Sequence, residues 1–496
     1  MSNQVGSKTL AELGLRAIGG QEAEITGLCV DSRLVKPGNL FAAFAGMRVH
    51  GGEYIKYALR MDAGAILTDK AGAELAKDEI AAAKVALIIT EDPRQVLAYT
   101  AALWFGAQPE FIVAVTGTNG KTSVASFVRQ IWTAMGITAA NLGTTGVEGA
   151  FEAPLTHTTP EAIGLHSLLA QMTEAGVTHL AMEASSHGLD QCRLDGVSLT
   201  AAAFTNLSQD HLDYHNGMKA YFEAKAGLFS RVLPSEATAV INTLDFYGDD
   251  MIKVVKDRGQ KLIMMGTHHQ CHLRITGHRL DNSGQDIRFE WLGQPHQARI
   301  DLIGAFQVQN ALMAAGLVIS CGADPQEVFD SLHELVTVRG RMQLAATRSN
   351  GAAVYVDFAH TPEAVKVALQ AMRPHVMGRL IVVLGAGGDR DPGKRGLMGK
   401  AAAANADLVF VTDDNPRSED PASIRAMVMQ GCPEATEVSD RAEAILRGVD
   451  ALQPGDALLI VGKGHETGQI IGDDVLPFDD AEQASVAVGA LEGRLT

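Results

Sequence analysis

FIVAVTGTNGKTS, residues 111–123, joins an apolar β-branched run, Ile112–Val115, to a small-residue loop that delivers Lys121 and Thr122 onto a helix. Downstream, Val124, Phe127, Val128, Ile131, Trp132 and Met135 recur at i, i+3, i+4, i+7, i+8 and i+11, one apolar face of that helix. A strand, a glycine loop, Lys-Thr and a helix present backbone N–H groups and a helix N-terminus to a polyphosphate. Gly117 and Gly120 let the backbone close on the phosphates, Thr118, Asn119 and Ser123 complete the loop, Lys121 adds positive charge, and the Thr122 hydroxyl can ligate Mg²⁺. The first glycine of GxxxxGK[ST] falls at Val115, so this is not a standard Walker A. The bland alternative is a glycine turn before an ordinary helix. The intact strand–loop–helix context favours a site for ATP or a similar nucleotide.

The chain is 496 residues long, which predicts about three domains. A net charge of −17 and the absence of a basic run argue against a nucleic-acid partner. The five cysteines (Cys29, Cys192, Cys271, Cys321, Cys432) have no CxxC spacing, the pattern of reduced thiols. MSNQVGSKTL carries no charged-then-apolar signal and no run approaches 18 apolar residues, so a cytoplasmic protein without membrane insertion is expected.

From about residue 111 onward, apolar runs end in polar clusters and helical pattern resumes: HLAME-ASSHG (179–188), AAAFTN-LSQDH (201–211), AVYVDF-AHTP (353–362), IVVLGA-GGDRD (381–391), LVFVT-DDNPR (408–417) and LLIVG-KGHE (458–466). Apolar strands alternating with helices predict an α/β fold with mostly parallel sheets buried on both faces. Ligands of such sheets sit beyond the carboxyl ends of the strands, where every one of these clusters lies. Three domains are expected, 1–108, 109–338 and 339–496.

Each cluster has a chemical and a structural reading. Glu183 can hold Mg²⁺ near the phosphate loop, while the serines after it can cap a helix. NLSQDHLDYH (206–215) places Asp210, His211, Asp213 and His215 within six positions. Without HExxH or cysteine partners zinc is disfavoured, and loop capping is the simpler account taken alone. Lys225, in YFEAKAGLF, reads locally as a solvated helical lysine. Asp357 can accept from a ribose, although Thr361-Pro362 marks a helix start by itself. LGAGGDRDPGKR (384–395) puts Arg390 where a dinucleotide fingerprint needs glycine, which suits an anion or zwitterion site better. DDNPR (413–417) and GKGHE (462–466) supply Asn415, Arg417, Lys463, His465 and Glu466; an arginine with a separate carboxylate recognises an amino acid's two charges.

In order and spacing, GTNGKTS, SSHG, NLSQDHLDYH, Lys225, QNALMA (309–314), GRMQ (340–343), DFAHTP, DNPR and GKGHE resemble the Mur ligase family of ATP-dependent amide-forming enzymes over nearly the whole chain. The resemblance is to the branch that adds meso-diaminopimelate to UDP-N-acetylmuramoyl-L-alanyl-D-glutamate in peptidoglycan precursor synthesis. It implies a first domain for the uridine nucleotide, with Val30 and Ser32 around the DSR at 31–33 and the loop Met47–Val49. It implies that Thr158, Thr159, Ser185, Gln191 and Arg193 contact the muramoyl-peptide. Asn310, Arg341 and Asp357 are implied on the ATP side. Arg390, Asp414, Asn415, Pro416, Arg417, Gly462 and Glu466 are implied for the amino acid. Lys225 matches a lysine bearing a CO₂-derived carbamate. Thr122 and Glu183 would serve one Mg²⁺, and His211 with carbamoyl-Lys225 a second. The catalytic set is thus Lys121, Glu183, His211 and Lys225. His157 stands where asparagine is usual in the family, and Gln343 where glutamate is usual.

The implied chemistry is carboxylate activation by ATP followed by amine attack, in a protein expected to be monomeric. Rival readings are a lysine-adding relative, a folylpolyglutamate synthase-like ligase, which should not need the first block, and a P-loop NTPase switch, which leaves the third block unexplained.

Overall fold

The computed structural model describes residues 6–46, 49–155, 157–212, 214–281 and 284–493. Met47, Arg48 and Asp213, on which parts of the sequence reading fall, lie outside the described residues.

Three α/β units follow one another. The first is a parallel four-stranded sheet in chain order, Gly27–Cys29, Asn39–Ala43, Ala65–Thr68 and Ala86–Ile89. The helix Pro93–Phe105 leads out of it; Asp92 caps it, with Pro93 in its first turn, and Gly106 ends it at φ 74°.

The second is a ten-stranded sheet with the phosphate-loop strand, Phe111–Thr116, near its middle. That strand lies between His179–Glu183 and Leu199–Phe204, parallel to both. Its residues alternate between two cores. Val113 and Val115 join the side that holds helix Lys121–Ala134, and Ile112 and Ala114 join the opposite side. This two-sided burial is why the run reads as continuously apolar. The far edge is different: Leu273–Leu280, Gln285–Trp291 and Gln294–Ile300 pair antiparallel, as does Gly146–Gly149 on the other edge.

The third unit is a six-stranded sheet ordered Gln343–Thr347, Ala353–Asp357, Ala457–Val461, Leu380–Leu384, Leu408–Val411 and Thr436–Glu437, antiparallel only at the first pair. A separate hairpin, Gly468–Ile471 with Asp474–Pro477, stands over its ligand edge. A fully buried ion pair, Arg441 with Asp480 at 2.7 Å, ties two helices of this unit. The units touch. Gln95 Nε2 donates to Asp195 Oδ1, Gln108 Nε2 to the Gly196 carbonyl, and Ile303 of the second unit is buried in the third unit's core.

Candidate active site

The phosphate loop is built by crowding. Gly117 has φ 149°, and a β-carbon there would come within 1.9 Å of Thr205 Oγ1, so only glycine lets the loop lie against the next strand end. That strand end then clamps it: Thr118 N donates to the Asn206 carbonyl, Asn119 N to Asn206 Oδ1, and Thr205 Oγ1 to the Asn119 carbonyl. Gly120 precedes the helix at φ 86°, and Thr122 and Ser123 are buried in its first turn. The helix N-terminus therefore faces the loop, as anion binding requires.

Lys121 curls back on its own loop, Nζ donating to the carbonyls of Gly117 and Thr118 at 2.9 Å each. Burial lowers its pKa, against the opposing charges of Glu183 and Asp210. Lys225 comes to the same place from the helix Gly217–Gly227. It is 1% exposed, and its Nζ donates to the Gly117 carbonyl at 2.8 Å. Burial, then the nearby Lys121, drive its pKa well below the ordinary lysine value, so its amine is held toward the neutral form. Beneath it lies Tyr221, one helical turn earlier, with Nζ 4.5 Å from the ring centroid and the phenol 3.2 Å from Thr118 Oγ1.

Glu183 ends its strand 1% exposed, with Oε1 accepting from Thr144 N at 2.7 Å and Oε2 from Thr144 Oγ1 at 3.2 Å. Ser185 caps the next helix through Gly188 N. His211 sits at φ 53° beside Asp210, 3.4 Å away, and its ring is 5.0 Å from that of His187. Desolvation, reinforced by His187, Lys121 and Lys225 against the pull of Asp210, brings His211 down to about 4. Thr158 bonds Thr144, Thr159 Oγ1 donates to the Glu183 carbonyl, and Arg193 donates to the Thr159 carbonyl and to Gln191 while pairing with Glu161 at 2.6 Å. Thr158, Thr159, Ser185, Gln191 and Arg193 thus belong to one hydrogen-bonded cluster around Thr144 and Glu183. Val30 and Ser32 stand apart from it, after the strand Gly27–Cys29 of the first unit, flanking Asp31, which holds Arg33 at 2.7 Å.

The third unit reaches the loop through Arg341, whose Nη2 donates to Thr122 Oγ1 at 3.2 Å. Its guanidinium lies 4.6 Å over the Phe358 ring, and its buried Nε has no hydrogen-bond partner among the described residues. Asp357 turns both oxygens to backbone, accepting from Met342 N and Ala359 N, and burial raises its pKa against the pull of Arg341. Asn310 Nδ2 donates to Gln307, with Asn310 Oδ1 close over Gly120. Gln343 Oε1 accepts from Gly340 N at 2.7 Å, an acceptor role a glutamate would also fill. The Gly340 α-carbon is so close to the GKGHE loop that a β-carbon would meet His465 N at 2.2 Å.

Away from the loop, Arg417 sits at φ 51°, its N–H and C=O held by Ile470 and Gly472 of the hairpin and its Nη1 donating to the Gly388 carbonyl. Burial and the neighbouring Arg390 lower its pKa. Asn415 Nδ2 donates to Glu466 Oε2 at 2.7 Å. Asp414, Asn415 and Pro416 are buried, Gly462 packs on Asp414, and Arg390 is exposed with Nη1 on the Asp389 carbonyl. Reading the sequence did not single out Thr144, which holds Glu183, or Tyr221, although its i, i+4 spacing to Lys225 was available.

A family model described as the Mur ligase middle domain matches residues 115–318, one described as the Mur ligase, glutamate ligase domain matches 340–464, and one described as the Mur ligase family, catalytic domain matches 24–104. A protein of Bradyrhizobium diazoefficiens named UDP-N-acetylmuramoyl-L-alanyl-D-glutamate–2,6-diaminopimelate ligase is 46% identical over 471 residues, covering 94% of this chain and 95% of that protein. One of the same name from Agrobacterium fabrum is 46% identical over 493 residues, covering 98% and 97%. A solved structure of a ligase with that name superposes with a TM-score of 0.72 at 32% identity, covering 98% of this chain and 99% of its own. The chain belongs to the Mur ligase family.

Proposed function

We propose that the protein uses ATP to join meso-diaminopimelate to the D-glutamate carboxylate of UDP-N-acetylmuramoyl-L-alanyl-D-glutamate, a step of peptidoglycan precursor synthesis. One observation carries this reading: the unit that bears the Arg417–Glu466 cluster also touches the phosphate loop, through Arg341 and Thr122. That contact supports a reading in which a nucleotide-activating loop and a zwitterion cluster work together. The named reaction of full-length relatives at 46% identity supports the same substrates.

In this reading the γ-carboxylate of D-glutamate attacks the γ-phosphorus of ATP, giving an acyl phosphate and ADP. The free amine of diaminopimelate then attacks the acyl carbon, and phosphate leaves. Lys121 leaves its two loop carbonyls to face phosphate oxygens. The donors near the phosphate site, the Thr122 hydroxyl and the buried Glu183 carboxylate, are hard oxygens and fit Mg²⁺. Mg²⁺ bound there would neutralise the approach of two anions. Lys225 fits a carbamate, since a neutral buried amine adds CO₂, and His211 would stand with it toward a second cation. Thr158, Thr159, Ser185, Gln191 and Arg193 would hold the muramoyl-peptide, Val30 and Ser32 the uridine nucleotide, and Arg390, Asp414, Asn415, Pro416, Arg417, Gly462 and Glu466 the amino acid. Domain boundaries at 108/109 and 338/339, a cytoplasmic location and a monomeric state belong to the same reading.

The test is ADP release with each substrate omitted in turn. Release should require both the UDP-linked dipeptide and meso-diaminopimelate, and L-lysine should replace the latter poorly. Release that persists unchanged without either acceptor overturns the ligase reading in favour of a nucleotide switch.

A further inference from the structure

Lys463 is completely buried, in the loop that follows the strand Ala457–Val461. Its Nζ donates to Asn415 Oδ1 at 2.8 Å and to Glu466 Oε2 at 3.3 Å. Asn415 is committed in turn: its Oδ1 also accepts from Ile470 N at 3.0 Å, and its Nδ2 donates to the same Glu466 Oε2 at 2.7 Å. Two donors therefore converge on one carboxylate oxygen of Glu466, a side chain still 34% exposed. Among the described residues no hydrogen bond occupies the other oxygen.

We propose that Lys463 and Asn415 are positioning residues that lock Glu466 with Oε1 presented to the ammonium of the incoming amino acid. This rests on the reading of the Arg417–Glu466 cluster as the amino-acid site. A free glutamate has three rotatable bonds and would lose that freedom each time it captured an amine. Here the ordering is already done by the fold, and substrate binding need not supply it. On this account Asn415 serves the amino-acid site through Glu466, because both ends of its own amide are already bonded within the protein.

Steady-state ADP release, with meso-diaminopimelate varied at saturating ATP and UDP-linked dipeptide, tests the proposal. Lys463→Met should raise the KM for diaminopimelate about tenfold or more, the factor one lost hydrogen bond to a charged group sets, and leave the KM for ATP within about twofold. Because Lys463 acts through Glu466, the pair Lys463→Met/Glu466→Gln should lose no more than Glu466→Gln alone. Asn415→Ala removes the other donor and should show the same pattern, carrying the test if Lys463→Met does not fold. The proposal is overturned if Glu466→Gln raises that KM while Lys463→Met and Asn415→Ala do not, or if the paired losses multiply. If Glu466→Gln itself leaves the KM for diaminopimelate unchanged, the amino-acid reading of the cluster falls, and the positioning role with it.

Discussion

Lys225 is a residue the fold keeps at a cost. Its native pKa lies well below its unfolded value, so between the two the unfolded chain binds a proton that the native state does not. By linkage, stability then rises with pH through that window and is lowest on its acid side. Lys225→Met should therefore raise the melting temperature of the nucleotide-free protein at pH 7 and flatten its rise toward alkaline pH. A gain of one kcal/mol corresponds to about 2–4 °C in a domain this size. The same variant should lose about 10²–10³-fold in kcat. Thermal unfolding at several pH values, with turnover beside it, checks both; a destabilised variant would show that the bond to the Gly117 carbonyl outweighs desolvation. Local chemistry gave little warning of this, because an isolated lysine in YFEAKAGLF looks solvated. A role for it was suggested only by the resemblance, and its burial appeared only once the helix Gly217–Gly227 was seen under the phosphate loop.

Among the elements, the loop 117–120 and the hairpin Gly468–Pro477 make opposite demands. Gly117→Ala puts a methyl group into Thr205 Oγ1, so it should abolish the thermal stabilisation by ATP and destabilise the protein by about 1–3 kcal/mol. The hairpin instead fixes Arg417 in a left-handed conformation through Ile470 and Gly472. Replacing Gly468–Pro477 by a short glycine linker should raise the KM for diaminopimelate about tenfold and leave that for ATP within about twofold, as steady-state kinetics will show. The central strands were legible because both faces are buried and the runs are uniformly apolar. Residues 273–300 were not: Gln285–Trp291 begins by alternating buried and exposed side chains, its neighbours are largely half-buried or exposed, and none offers an apolar run. The hairpin was hidden for the same reason, since all four residues of Asp474–Pro477 are exposed.

At the scale of the whole molecule, the third unit has its own structural keystone. Arg441→Met strands Asp480 without its partner in a place with no solvent, and should cost about 3–5 kcal/mol. Urea unfolding should show that loss in the transition of the third unit, while ATP still protects the second. That ligand effect is about 2.7 kcal/mol at 100 times Kd, and it separates the two transitions. The three-unit organisation was readable from length and from the rhythm of apolar runs. Arg341 in GRMQ was expected on the ATP side from the resemblance alone, while the contacts of Gln95 and Gln108 were not legible, because they are polar side chains in segments with no distinguishing pattern.

The backbone of Gly340 lies directly against Gly464 and His465, though more than a hundred positions separate them in the chain. The segment that carries Arg341 to the phosphate loop and the loop that carries Glu466 are thus packed backbone to backbone. Any movement of this unit would therefore carry Arg341 and the Glu466 loop together, so that whatever shifts one shifts the other.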